Sequence, residues 1–232
     1  MKLYLFPILA SIIILSGCPN SHDNSSNTKK YTVTVTNLTN NQPLSPVTAI
    51  AYNNDYKLFS IGSPASISLE KLAESGDNSD YIASKETNKN VLDAVSGAGI
   101  ILPGSSDTVS LTTSTNTDTY LSVASMLVNT NDGFIADNKQ VISTLAKGDS
   151  ITVKLNVWDS GTEANSETAA TIPGPAGEGE GEGFNSVRDD TQDQVTLHSG
   201  VITTEDGLAT STLNSTHRFL NPAAQVTITR TE

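Results

Sequence analysis

Three acidic side chains follow two strand-like segments, and their types and positions suit the binding of a hard cation. Asp132 follows the apolar segment Tyr120–Leu127, and Asp159 and Glu163 follow Ser150–Val157. If the two strands run in the same direction, both loops emerge at one end of the fold. Carboxylates, with backbone carbonyls and water, supply the roughly six to eight oxygens that Ca²⁺ takes. Aspartate beside glycine is also ordinary turn chemistry, so both interpretations stay open here.

Motifs for other chemistry are absent from the sequence. It has no Gly-x-Ser-x-Gly, no His-Glu-x-x-His and no phosphate-binding Gly-Lys-Ser/Thr. Of the three histidines, His22 lies near the N-terminus, and we expect surface or capping roles for His198 and His217. Calcium is a poor generator of hydroxide, and the histidine ligands of a catalytic zinc are missing. We therefore predict that the protein is not an enzyme, with an envelope hydrolase as the alternative.

The N-terminus combines one positive charge, an apolar run and the only cysteine of the chain. Lys2 precedes Leu3–Leu15, which is too short for a comfortable membrane span and leads into Ser16-Gly17-Cys18. This resembles a bacterial lipoprotein signal peptide with its lipobox; a plain secretory signal with an accidental cysteine is the alternative. The resemblance implies that residues 1–17 are removed and that a lipid on Cys18 anchors the protein in a bilayer.

The resemblance to lipoproteins also bears on location. It implies the bacterial cell envelope, and the outer membrane is preferred because the second mature residue is Pro19 rather than aspartate. With one cysteine, no disulfide forms within the chain, so the fold rests on its core or on a metal. The formal net charge of −12 disfavours nucleic acid as a partner. It suits cation binding, although acidity for solubility explains it equally well.

Hydrophobic patterning divides the mature chain into a tether and one domain. Residues 18–30 are rich in Asn and Ser, which predicts a flexible tether behind the lipid. Strict alternation from Tyr31 onward marks the start of a domain spanning residues 31–232. Glycine and glutamate alternate within Pro173–Gly183, which predicts an exposed, mobile loop whose carboxylates are solvated.

The domain is rich in strand patterns and poor in helix patterns. One short helix is predicted, with Ser68 as its cap, Leu69 and Leu72 on its buried face and Gly76 at its end, and a helical turn follows near Asp80–Lys85. Short strands separated by turn residues predict an antiparallel β-sandwich or barrel. The predicted strands are Tyr31–Thr36, Val47–Tyr52, Tyr120–Leu127, Ser150–Val157, Val195–Leu197 and Val226–Ile228.

Several segments, in order and spacing, resemble the spondin domain, the N-terminal module of the F-spondin and mindin matrix proteins, in its bacterial form. They are Phe59–Ser66, Leu72–Asp77, Leu121–Val128 with Thr130–Phe134, Asp159–Glu163 with Ile172–Pro175, and His217–Pro222. The resemblance implies an all-β, C2-like antiparallel β-sandwich with one or two short helices. It also implies one Ca²⁺ on Asp132, Asp159 and Glu163, the last of which replaces an aspartate of the animal modules.

The animal spondin proteins are adhesive, so the resemblance implies a membrane-anchored, calcium-binding adhesion or recognition module. Its partners would be glycans or matrix or surface proteins. A purely structural envelope protein is a further alternative.

The first prediction concerns the anchor. Substituting Cys18→Ser removes the thiol that would carry the lipid, so the protein should be released from membranes or remain an unprocessed precursor. Fractionation with immunoblotting checks this. A processed Cys18→Ser protein that still sediments with membranes would contradict the lipoprotein interpretation.

Overall fold

The computed structural model describes residue 2 and residues 27–115, 117–179 and 181–232. Apart from residue 2, the predicted signal peptide lies outside the described residues, as do Cys18, most of the predicted tether and Glu180. The anchor therefore stays a prediction. None of the helices in the described part is long and apolar enough to cross a bilayer.

In the part of the domain that the structure describes, there are nine strands and two short α-helices, which confirms the predicted all-β class. The strands are β1 (Thr28–Asn37), β2 (Thr48–Tyr52), β3 (Val91–Ser96), β4 (Ser106–Ser114), β5 (Tyr120–Met126), β6 (Gly133–Val141), β7 (Ser150–Asp159), β8 (Thr196–Leu197) and β9 (Ala224–Arg230). The helices are α1 (Ile67–Ser75) and α2 (Ser79–Thr87). Every strand pair is antiparallel, in the order β3-β2-β5-β6-β7-β9-β1-β4, with β8 beside β7.

Strand β7 joins the two halves of the sandwich. Residues 150–155 pair with β9, whereas residues 156–159 pair with β6. The two edge strands, β3 and β4, are connected by side chains: Asp93 Oδ2 accepts from Thr112 N at 2.8 Å, and Asp107 Oδ2 accepts from Ala98 N at 2.9 Å. Each carboxylate accepts a hydrogen bond from a backbone N–H that would otherwise be exposed at the edge of the sheet. These contacts bring the two edges together, so the sandwich approaches a closed barrel.

The core forms because alternate side chains of the strands face inward. In β1, Tyr31, Val33 and Val35 are buried, and the threonines between them face outward. Strand β2 is buried along its whole length because the helices cover its other face. A second apolar cluster, including Leu69 of α1, therefore lies outside the sheet.

Helix α1 confirms the predicted short helix, with its start shifted. Its N-cap is Ser66, whose hydroxyl accepts from Leu69 N, and its last residue is followed by Gly76 with φ +70°. Leu69 and Leu72 are buried as predicted. Glu70 and Glu74 on the same helix are also buried, which their residue type does not suggest.

The Gly/Glu segment differs from its prediction because part of it packs closely. Gly177 is buried, and a Cβ there would lie 1.9 Å from Ile172 O. A Cβ at Gly181 would lie 2.0 Å from the same carbonyl oxygen, Ile172 O. Glycine serves close packing here, whereas the composition alone suggested mobility.

The second prediction concerns the start of the domain. Strand β1 begins at Thr28, three residues before the predicted start at Tyr31, and Thr28–Lys30 pair with β4. Lys29 Nζ also donates to Ser143 O at 2.7 Å. A chain beginning at Asn27 should match the mature chain in melting temperature, whereas one beginning at Tyr31 should lose about 2 kcal/mol of unfolding free energy. Urea unfolding checks this; equal stability of both truncations would show that Thr28–Lys30 contribute nothing.

Candidate functional site

The two loops with the predicted acidic residues emerge at the same end of the sandwich. Strands β5 and β7 are each antiparallel to β6, so they run in the same direction. Gly133 pairs with Asp159 in the β6–β7 register, which places Asp132 directly beside the loop after β7. The sheet topology thus brings the two chain segments together as the sequence analysis anticipated.

Asp132 connects the two loops through one carboxylate oxygen. Its Oδ2 accepts hydrogen bonds from Ser160 Oγ at 2.8 Å, Thr162 N at 2.8 Å and Glu163 N at 3.3 Å. The side chain is 0% exposed, and its other oxygen, Oδ1, has no hydrogen-bond partner. The Oδ2 atom of Asp132 therefore holds the loop after β7 in place, and the Oδ1 atom is buried without a hydrogen-bond partner.

Asp159 is fixed by its own loop. Its Oδ1 accepts from Gly161 N at 2.9 Å, and its Oδ2 accepts from Asn165 Nδ2 at 2.8 Å. Gly161 has φ +72°, and a Cβ there would lie 2.5 Å from Gln194 O. Only glycine fits this turn, which folds the chain so that Asp159 lies near Asp132.

Glu163 is 7% exposed although it is charged at neutral pH in water. Its backbone N–H is held by Asp132, and the next N–H, of Ala164, donates to Asp189 Oδ1 at 2.8 Å. Burial raises the pKa of Glu163 to about 9, and the charges of Glu74 and Asp132 act in the same direction. The carboxyl therefore lies among other acidic groups, where its charged form is costly.

Asp132 belongs to the same electrostatic environment. Burial raises its pKa to about 7, with the nearby charge of Asp159 as the next cause, and the hydrogen bonds from the loop only partly oppose this. Several carboxylates removed from water in one corner must be neutralised by protons or by a cation.

Two buried residues at this corner were not predicted as functional. Glu167 is 0% exposed, and burial raises its pKa to about 7, the charges of Asp132 and Asp159 adding to the effect. His198 and His217, for which surface or capping roles were expected, are both buried, and each accepts a hydrogen bond from a turn N–H, of Gly200 and Asn214 respectively. The only sequence signal for Glu167 is its position four residues after Glu163 in an acidic loop.

His198 is placed to donate rather than to bind a metal. Its Nδ1 accepts from Gly200 N at 3.0 Å, so in the neutral ring Nε2 carries the proton, and this buried donor has no partner. Burial lowers the pKa of His198, while the charge of Asp159 opposes that shift.

The chemistry of the donors fits a hard cation. Asp132, Asp159 and Glu163 offer only oxygen, and the free Oδ1 of Asp132 is an unsatisfied buried acceptor. Over the described ranges, no group of three or more His, Cys, Asp or Glu side chains stands arranged to hold a metal ion. Small side-chain rotations toward a common point would therefore accompany binding. The three predicted residues share one corner, and their role as ligands stays a prediction.

The third prediction follows from the raised pKa values. Burial raises the pKa values of Asp132, Glu163 and Glu167 to about 7, 9 and 7 in the folded protein, whereas carboxyls of an unfolded chain have pKa values of about 4. The folded state thus binds more protons between the unfolded and the folded pKa of each group, and the free energy of unfolding in chelator should fall as pH rises from about 5 to 9. All three carboxyls contribute below about pH 7, and Glu163 alone contributes above it. Thermal melts across this range check it.

The matched control is Asp132→Asn, which removes one of the titrating groups and should flatten the pH dependence between about pH 5 and 7. A wild-type melting temperature in chelator that rises steadily with pH would contradict the electrostatic assignment.

Comparison of this sequence with known proteins and protein families finds one matching family. No curated protein matches this sequence. The family model Spondin_N matches residues 24–176, a range that contains β1–β7, Asp132, Asp159, Glu163 and Glu167 but neither β8 nor β9. This family comprises non-enzymatic recognition domains, which suggests a cell-surface or extracellular recognition module. The chain belongs to the spondin N-terminal domain family.

Proposed function

We propose that this chain is a lipid-anchored recognition module of the bacterial envelope that binds one Ca²⁺ through Asp132, Asp159 and Glu163. The observation that carries the proposal is the Asp132 carboxylate, which is fully buried with Oδ1 unpartnered while Oδ2 holds the opposite loop. An unpaired buried carboxylate costs several kcal/mol, and a divalent cation removes that cost.

The surroundings favour calcium over a transition metal. The site offers carboxylate oxygens, and the neighbouring imidazole of His198 has Nδ1 occupied and Nε2 protonated. Zinc favours nitrogen and sulfur ligands, whereas Ca²⁺ accepts irregular sets of oxygens. The hydrogen bonds that Asp132 and Asp159 already receive leave further lone pairs for an ion.

The site lies at the end of the domain that faces away from the proposed anchor. Strands β1 and β7 are both antiparallel to β9, so they run in the same direction. Chain entry at Thr28 is therefore at one end, and Asp159 is at the other. A lipid on Cys18 would hold the first end near the bilayer and present the acidic corner outward.

This orientation supports a recognition role. An ion between the loops would fix the surface formed by the β5–β6 connection and the segment after β7. We propose that this surface contacts a glycan or a surface or matrix protein. An array of glycans and matrix proteins, probed with and without calcium, tests this step. Binding that requires calcium supports the role, and binding indifferent to calcium contradicts it.

The fourth prediction tests the ion itself with the mature chain, residues 18–232. Calcium at about a hundredfold excess over Kd should add roughly 2.7 kcal/mol of stability, and extracellular modules often bind near 10⁻⁴ to 10⁻³ M. Chelator should lower the melting temperature, and millimolar calcium should restore it.

Matched variants locate the response. Asp132→Asn and Asp159→Asn should abolish the calcium response, and Asp132→Asn should melt no lower than wild type in chelator because a buried charge is gone. Glu205→Gln, at an exposed residue outside the corner, should respond like wild type. A wild-type melting temperature indifferent to chelator and calcium would overturn the proposal.

A further inference from the structure

Glu167 has an unusual backbone conformation for its residue type. Its φ of +54° lies in the left-handed region, which costs a non-glycine residue on the order of 1 kcal/mol. Tertiary contacts hold it there: Glu167 N donates to Asn131 Oδ1 at 3.2 Å, and Glu167 O accepts from Thr212 N at 2.8 Å. The contact with Asn131 places Glu167 beside the residue that precedes Asp132.

The Glu167 side chain is only half satisfied. Its Oε1 accepts from Ile202 N at 3.2 Å, whereas its Oε2 has no partner although the residue is fully buried. A carboxylate buried in this way is destabilising unless a cation or a donor reaches the free oxygen.

Among the described residues, eight buried side-chain oxygens have no hydrogen-bond partner, and three of them belong to the loops of the site: Asp132 Oδ1, Asn165 Oδ1 and Glu167 Oε2. The orientation of the Asn165 amide is fixed because its Nδ2 donates to Asp159 Oδ2, which as a carboxylate oxygen can only accept. Three loop residues thus each bury one hard oxygen without a donor. Oxygen is the ligand atom for Ca²⁺, so a cation held between these loops would compensate all three.

We propose that Glu167 is a fourth carboxylate ligand of the ion, binding through Oε2 while Oε1 keeps the Ile202 N–H. The inference rests on the proposed calcium site and adds a ligand to it. Four carboxylates would raise the charge of the ligand set and hence its affinity for a divalent ion. They would also tie the segment near Ile202, which lies beyond the family match, to the ion.

A purely structural role is the competing explanation. In that case Glu167 only bridges Asn131, Thr212 and Ile202, and its loss lowers stability without changing calcium affinity. The two roles predict different outcomes when affinity and stability are measured separately.

The fifth prediction is tested by calorimetric titration of CaCl₂ into the mature chain. Glu167→Gln keeps an oxygen for Ile202 N but loses the charge, so Kd should rise at least tenfold. Glu70→Gln is the matched control. Glu70, on α1, is also fully buried, but its carboxylate forms an ion pair with Arg188 at 2.5 Å. This variant should lose stability and keep the wild-type Kd.

The outcomes separate the two proposals. If wild type binds, Asp132→Asn does not, and Glu167→Gln binds with the wild-type Kd, the added ligand is wrong and the calcium site stands. If wild type does not bind calcium, the calcium site itself is wrong.

If Glu167→Gln does not fold, a crystal structure of the wild-type chain grown with calcium decides. Glu167 Oε2 within about 2.3–2.6 Å of the ion supports the proposal, and Oε2 outside the coordination sphere overturns it.

Discussion

The buried carboxylate of Asp132 is the constraint on which the acidic corner depends. Its Oδ2 receives donors from the chain after β7, including Ser160 Oγ and Thr162 N, so one side chain fixes the path of a distant loop. The same burial removes Oδ1 from water without a partner. The parallel directions of β5 and β7 and the tight turn at Gly161 all serve to place acidic groups around this oxygen.

The position of the site could be predicted from local sequence because it depends on two strongly patterned strands. The apolar run of β5 and the alternation of β7 identify where each strand ends. Asp132 lies in the connection after β5, directly before β6, and Asp159 is the last residue of β7. Glu167 could not be predicted in the same way. Its burial depends on Asn131, Thr212 and Ile202, and two of these lie far along the chain.

The strands, too, differ in how well local sequence predicts them. Strands β1, β5 and β7 carry clear patterns, whereas β3, β4 and β6 were missed. Strand β6 begins with a buried stretch at Phe134 and ends in polar residues, so it has no single period. Strand β4 does alternate, so the prediction without this strand is wrong. The Gly/Glu segment was expected to be mobile, because composition does not show that Gly177 packs against Ile172.

The central claim is that a divalent cation compensates the buried charge of Asp132. Equilibrium dialysis of the chelator-treated mature chain against calcium, with metal analysis, tests it most directly. The account predicts saturation at about one ion per chain for wild type and none for Asp132→Asn, within the millimolar range of extracellular calcium modules. No saturable calcium in the wild-type chain, or equal binding by Asp132→Asn, would contradict it.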